Sequence, residues 1–221
     1  MFLIPEIVPV LKVLVGASER AIQQHFRDLM ADPALMRRSK QGRAAVPVTL
    51  PEVGNVLISL CAPAGASTKP VSTLETTRLC RAAKRLHDSD LQYAAGTFDG
   101  LSFADAETFG EAFDGMLDNM HTGAFQRWSG TDSVGFGTSV RFYNGGGRIM
   151  LRLERRSGGS DVPLVPAARE TFIIMYRNDN HPVERRGACV TCLNELDLFI
   201  IGNLLAESID RAEAPACSAA A

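Results

Sequence analysis

Residues 16–62 read GASERAIQQHFRDLMADPALMRRSKQGRAAVPVTLPEVGNVLISLCA, and the fold expected of the N-terminal part turns on how that stretch divides. Gly16 suits the left-handed residue that closes a helix, and Ser18 is placed to cap the next one. Wound at about 100° per residue, the segment from Glu19 to about Met30 gathers Ile22, Phe26 and Leu29 on one face. Arg20, Gln23, Gln24 and Arg27 gather on the opposite face, and all four are side-chain types that contact phosphates and base edges. After Asp32-Pro33, two short segments, Leu35 to Arg38 and Arg43 to Val48, flank a polar turn with Gly42. They predict a small hairpin with Arg37, Arg38, Lys40 and Arg43 around its tip. Thr49-Leu50-Pro51-Glu52 is a capping box with proline in the first turn. A helix from Leu50 to about Cys61 follows from it, burying Val53, Val56, Leu57 and Leu60.

Upstream, Glu6 to Val15 is apolar enough for a short buried helix. Helix, glycine turn, amphipathic helix, basic hairpin and capped helix, all within the first 62 residues, is the order of a winged helix-turn-helix. In such a unit the second helix enters the major groove and the hairpin lies along the phosphates. The same residues resemble the N-terminal winged helix-turn-helix segment of uncharacterised phage-associated or gene-transfer-related bacterial proteins, in which a Gly-Arg-rich wing precedes a T-P-x-x-x-x-N-L-L-I helix. The matching residues here are Thr49-Leu50-Pro51 through Asn55-Val56-Leu57-Ile58, with one residue inserted between the Thr and the Pro. The resemblance covers the first quarter of the chain and implies DNA binding.

The rest of the chain has a different character. Residues 63–70, PAGASTKP, read as a linker, and a second capping box, Ser72-Thr73-Leu74-Glu75, predicts a helix to about Leu86. Thr108 to about Met120 is moderately amphipathic. Two alternating runs around Asn144 and three glycines, Val140-Phe142 and Ile149-Leu151-Leu153, predict an antiparallel hairpin. Thr171–Arg177 and Ala188–Leu193 read as further strands, and Glu195 to Arg211 as a helix with Leu196, Phe199, Ile200, Leu204 and Leu205 on its stripe. The expected fold is therefore α+β: a winged helix-turn-helix over 1–62, a linker and connecting helix over 63–86, a mixed α+β oligomerisation or effector/partner domain over 87–211, and a frayed tail over 212–221.

Composition narrows the function classes. The 221 residues are 46% hydrophobic and 22% charged, which excludes wholesale disorder. The formal net charge of -2 excludes a uniformly basic nucleic-acid coat, but it is a sum of unlike parts. Arg20, Arg27, Arg37, Arg38, Lys40 and Arg43 face only Asp28 and Asp32 in the same stretch, whereas eight carboxylates and no Lys or Arg lie between Arg85 and Arg127. Five dispersed cysteines argue against a disulfide framework and for a reducing, cytoplasmic setting. The N-terminus lacks the basic region of a signal peptide, and the Leu196–Leu205 run is too short to span a bilayer, so no membrane partner is expected.

No catalytic motif emerges. Cys189-Val190-Thr191-Cys192 is a lone CxxC whose cysteines, on a strand, point to opposite faces, so two small buried hydrophobes outweigh a zinc site. The spacing from His181 and Glu184 to that CxxC is wrong for a deaminase. Gly145 to Gly147 lacks a phosphate-loop ending. Arg148, Arg152, Arg155 and Arg156 form a second basic cluster, suited to DNA or to the acidic block of another subunit. Trp128, beside Phe125, reads as a core or interface anchor.

These features predict a non-enzymatic, sequence-specific binder of double-stranded DNA in transcription regulation, phage-related and dimeric, with no cofactor and no metal. Arg20, Gln23, Gln24 and Arg27 read bases or position the helix and Arg37, Arg38, Lys40 and Arg43 grip phosphates, while the C-terminal domain dimerises, binds a partner protein or senses an effector. The alternatives are a phage DNA-packaging or structural adaptor, favoured by ring-like oligomers, and a metal-dependent enzyme built on the C-terminal domain, favoured by stoichiometric metal lost with Cys189 and Cys192.

Overall fold

The computed structural model describes residues 3–38, 47–62, 72–86, 101–129, 133–143, 145–156, 166–178 and 192–194. Among them are six α-helices and one five-stranded antiparallel sheet, an α+β arrangement. The expected linker at 63–70, the carboxylates Asp88, Asp90 and Asp99, His181, Cys189, the helix expected over 195–211 and the tail at 212–221 lie outside the described residues.

Helix α1 (Ile4–Val15) ends at Gly16, whose φ of 69° is the left-handed conformation that glycine adopts without steric cost. Helix α2 (Glu19–Leu29) starts where Ser18 Oγ accepts from the Ala21 amide at 3.2 Å. It buries Ile22, Phe26 and Leu29, the face its periodicity predicts. Helix α3 (Leu50–Cys61) has the limits read from its capping box, with Glu52 accepting from the Thr49 amide at 2.7 Å. Its burial exceeds the expectation of one apolar face. Every residue from Glu52 to Ser59 is buried, and Leu60 is half-buried, because α3 packs on α2, on α4 (Thr73–Arg81) and on α5 (Phe109–His121) at once.

Two expectations are corrected. Leu35–Arg38 is not the first strand of a hairpin. The Asp32 carbonyl accepts from the Leu35 and Met36 amides, both at 3.0 Å, and Asp32 Oδ1 accepts from the Ala34 amide at 3.0 Å. An aspartate followed by proline thus rolls the chain into a turn at the end of α2, and Leu35 and Met36 are both buried there instead of alternating in and out. The rest of the expected wing, residues 39–46 with Lys40 and Arg43, lies outside the described residues. The helix expected to reach Leu86 stops at Arg81 instead. Lys84–Arg85 become β1, because the sheet edge offers the Arg177 and Tyr176 backbone to pair with and the Met175 carbonyl accepts from the Leu86 amide at 2.9 Å.

The expected hairpin is present and longer than the sequence suggests: β2 (Ser133–Tyr143) and β3 (Gly146–Arg156) pair from Tyr143↔Gly146 to Ser133↔Arg155. Strand β4 (Pro166–Arg177) begins upstream of the expected Thr171 and pairs with β3 throughout. Strand β5 (Cys192–Asn194) adds to the free side of β2, and the order is β1-β4-β3-β2-β5. Helices α4 and α5 pack on β3. Phe109 and Phe113 of α5 meet Phe142 edge to face, with centroids 5.7 and 5.5 Å apart. Gly147 permits this approach, since a Cβ there would lie 2.2 Å from Phe109 Cε2. Helix α6 (Ala124–Ser129) seats Phe125 against Phe103 and leaves Trp128 partly buried against the core.

Strand alternation then sorts the sheet. Val140, Phe142, Ile149, Leu151, Ile174 and Tyr176 are buried beneath the helices. Arg141, Arg148, Met150, Arg152, Met175 and Arg177 belong to the opposite, outer face. One hydrophobic cluster runs from Ile7 in α1 to Leu193 in β5.

Candidate nucleic-acid interface

Helix α2 presents Arg20, Gln23, Gln24 and Arg27 to solvent on the side away from its buried stripe. Among the described residues neither Arg20 nor Arg27 enters an ion pair. Gln24 Nε2 donates to Asp28 Oδ1 at 2.7 Å, and Asp28 Oδ2 accepts from Thr73 Oγ1 at 3.0 Å. The neighbouring carboxylate is thereby committed to holding α4 against α2. Gln23 and Arg27 also rim a cleft of about 260 Å³ between α1 and α2, floored by Val8, Phe26 and Met30.

In His25, inside the same helix, the charged form is disfavoured. Burial lowers its pKa below the ordinary 6.5 against the opposing pull of Asp28. Ser59 Oγ donates its one proton to the Val56 carbonyl at 2.7 Å, so across the 3.0 Å contact His25 Nδ1–H is the donor. The imidazole therefore pins α2 to α3.

The cations after α2 are not equivalent. The Arg37 guanidinium is bound within the protein: Nε donates to Glu52 Oε1 at 2.9 Å, and Nη2 donates to Glu52 Oε2 at 3.0 Å and to the Pro47 carbonyl at 2.8 Å. Burial raises the Glu52 pKa, but the hydrogen bonds from Arg37 and Thr49 outweigh it and hold the carboxyl at about 2. Arg38 is exposed and makes no ion pair among the described residues. Lys40 and Arg43 lie outside the described residues.

Helix α4, read from sequence only as a connector, supplies a second set of polar ties. Arg78 Nη2 meets Asp32 Oδ2 at 2.7 Å and holds that carboxyl below its usual range. Arg81 reaches Asn55 Oδ1 at 2.7 Å and Asp114 Oδ2 at 2.6 Å, joining α3, α4 and α5. The signal available in the sequence was the spacing of Thr73, Arg78 and Arg81, but their partners are 26 to 46 residues away, out of reach of any local pattern.

Among the described residues no group of three or more His, Cys, Asp and Glu could hold a metal ion, and no helix is long and apolar enough to cross a membrane. Cys61 and Cys80 are buried, and burial pushes the Cys80 thiol far above its ordinary range. No protein-family model, curated protein or solved structure matches the chain.

Proposed function

We propose that the protein binds double-stranded DNA through α2 and acts as a sequence-specific regulator. The observation that carries this reading is the outward face of α2, where Arg20, Gln23, Gln24 and Arg27 are exposed together on a rigidly held helix and both arginines are without a carboxylate partner among the described residues. Arginine and glutamine offer bidentate hydrogen bonding to guanine and adenine edges. Arg38, Lys40 and Arg43 follow as phosphate contacts, with Arg37 anchoring the start of that segment to α3 through Glu52. The winged helix-turn-helix and the homodimer belong to this same proposal.

Selection from a random duplex library, followed by titration of the selected site, tests it. An enriched motif is expected, and Arg27→Ala should weaken binding to it by about 1–3 kcal/mol while relaxing preference at one position. No enriched motif, together with wild-type affinity in Arg20→Ala/Arg27→Ala, overturns the reading.

A further inference from the structure

The outer face of the sheet aligns Arg148 and Arg152, two members of the basic cluster visible in the sequence, with cations that join them only through strand pairing. Lys84 of β1 is directly opposite Arg177 of β4, and Arg148 of β3 is directly opposite Arg141 of β2. One cation thus stands on each of four successive strands, β1-β4-β3-β2, and Arg152 continues the row along β3. With strands about 4.8 Å apart, the stripe crosses roughly 15 Å of sheet. Like charges directly opposite one another destabilise a sheet, and this one holds two such pairs. None of the five cations makes an ion pair among the described residues. Arg148 Nε and Arg177 Nε are shielded from solvent and have no acceptor among the described residues. A sheet that tolerates stacked positive charge and unpaired guanidinium donors is arranged for an anion supplied from outside.

We propose that this stripe is a docking surface for the phosphate backbone of duplex DNA. A backbone is a line of regularly spaced like charges, and a line of cations complements it better than it complements a compact anion. Four of the five groups are arginines, or three of the four in the cross-strand row, and their planar forks suit phosphate oxygens. Among the described residues the one aromatic residue placed on this face is Tyr143, at the end of β2, so the face lacks the succession of aromatic platforms on which unpaired bases would stack. The surface is distinct from α2, which packs on α1, α3 and α4, and the proposal stands whether or not α2 reads DNA.

The test is fluorescence anisotropy of the full chain with a labelled duplex and with a single strand of the same length, between 50 and 200 mM salt. Arg141→Gln/Arg148→Gln/Arg177→Gln should weaken duplex binding about tenfold or more at the lower salt and flatten the salt slope by about two to three. Its melting temperature should hold or rise, because both like-charge pairs are relieved. The exposed single variant Arg141→Gln should reproduce part of the loss and keeps the test decisive if the triple variant folds poorly. Arg20→Gln/Arg27→Gln serves as the separate arm for α2: its loss alone, with the stripe variants binding as wild type, overturns the stripe. Wild-type duplex affinity and slope in both stripe variants overturn it too, as does a stripe-dependent preference for the single strand. A change of mass in solution with unchanged DNA affinity would assign the face to a second copy and equally overturn the proposal.

Discussion

At the scale of single residues, Glu52 joins helix capping to tertiary anchoring. It accepts from the Thr49 amide and hydroxyl at the start of α3 and from the Arg37 amide, Nε and Nη2 across the turn after α2. Its pKa of about 2 lies below the ordinary 4.5, so between those values the unfolded chain binds more protons than the folded one. The stability it contributes is complete above pH 4.5 and drains as the pH falls through about 2. Glu52→Gln should therefore lose about 1–3 kcal/mol in urea melts at pH 7, and the gap to wild type should close progressively between pH 4.5 and 2. A gap independent of pH would mean that the group acts through shape alone. Arg37→Ala should also lower stability, whereas Arg38→Ala, with no partner to strand among the described residues, should leave it unchanged. Sequence pattern grouped Arg37 and Arg38 as one basic tip, because a charge count has no term for a carboxylate fifteen residues away that already holds one of them.

At the scale of elements, the helix starts were legible and the ends and edges were not. Ser18 and Ser72 each announce a helix by accepting from a first-turn amide, and at α3 Glu52 accepts from the Thr49 amide and hydroxyl, local devices that local sequence records. The stop at Arg81 and the two-residue β1 depend on a sheet edge formed by β4, nearly a hundred residues on. The outer-face stripe was half legible. Once Tyr143 is set opposite Gly146, Arg141 must oppose Arg148, but Arg177 and Lys84 join only through pairings that no turn rule supplies. Packing of α5 on the sheet includes one approach that only a glycine allows. Gly147→Ala would place a methyl 2.2 Å from Phe109 Cε2 and displace α5, at a cost of about 1–3 kcal/mol. Phe109→Leu should be less damaging in the Gly147→Ala background than alone, and a double-mutant cycle by thermal melting measures that coupling. Strict additivity would show that the ring does not seat on the glycine.

At the scale of the whole molecule, the division read from sequence at residue 62 meets a core that does not divide there. The case for it was compositional: a basic N-terminal stretch, then PAGASTKP, then carboxylates. Burial is a different quantity, and α3 packs against α2, α4 and α5 together. Asn55 of α3 bonds Arg81, and a Cβ on Gly54 would lie 2.8 Å from Asp114 Oδ1, so the surface that α3 turns toward the rest of the chain is shaped for those partners. A chain comprising residues 1–62 alone would expose that face and leave the Asn55 amide oxygen without Arg81. We expect such a fragment to lack cooperative melting and amide dispersion, and the full chain to unfold in one calorimetric transition whose enthalpy equals its van't Hoff value. A fragment that melts cooperatively, or two resolved transitions in the full chain, would restore an independent N-terminal module. Either result also bears on DNA binding: if the core is continuous, α2 borrows its rigidity from α4 and α5, and Asp114→Ala, which strands Arg81, should weaken both the fold and any affinity that depends on α2.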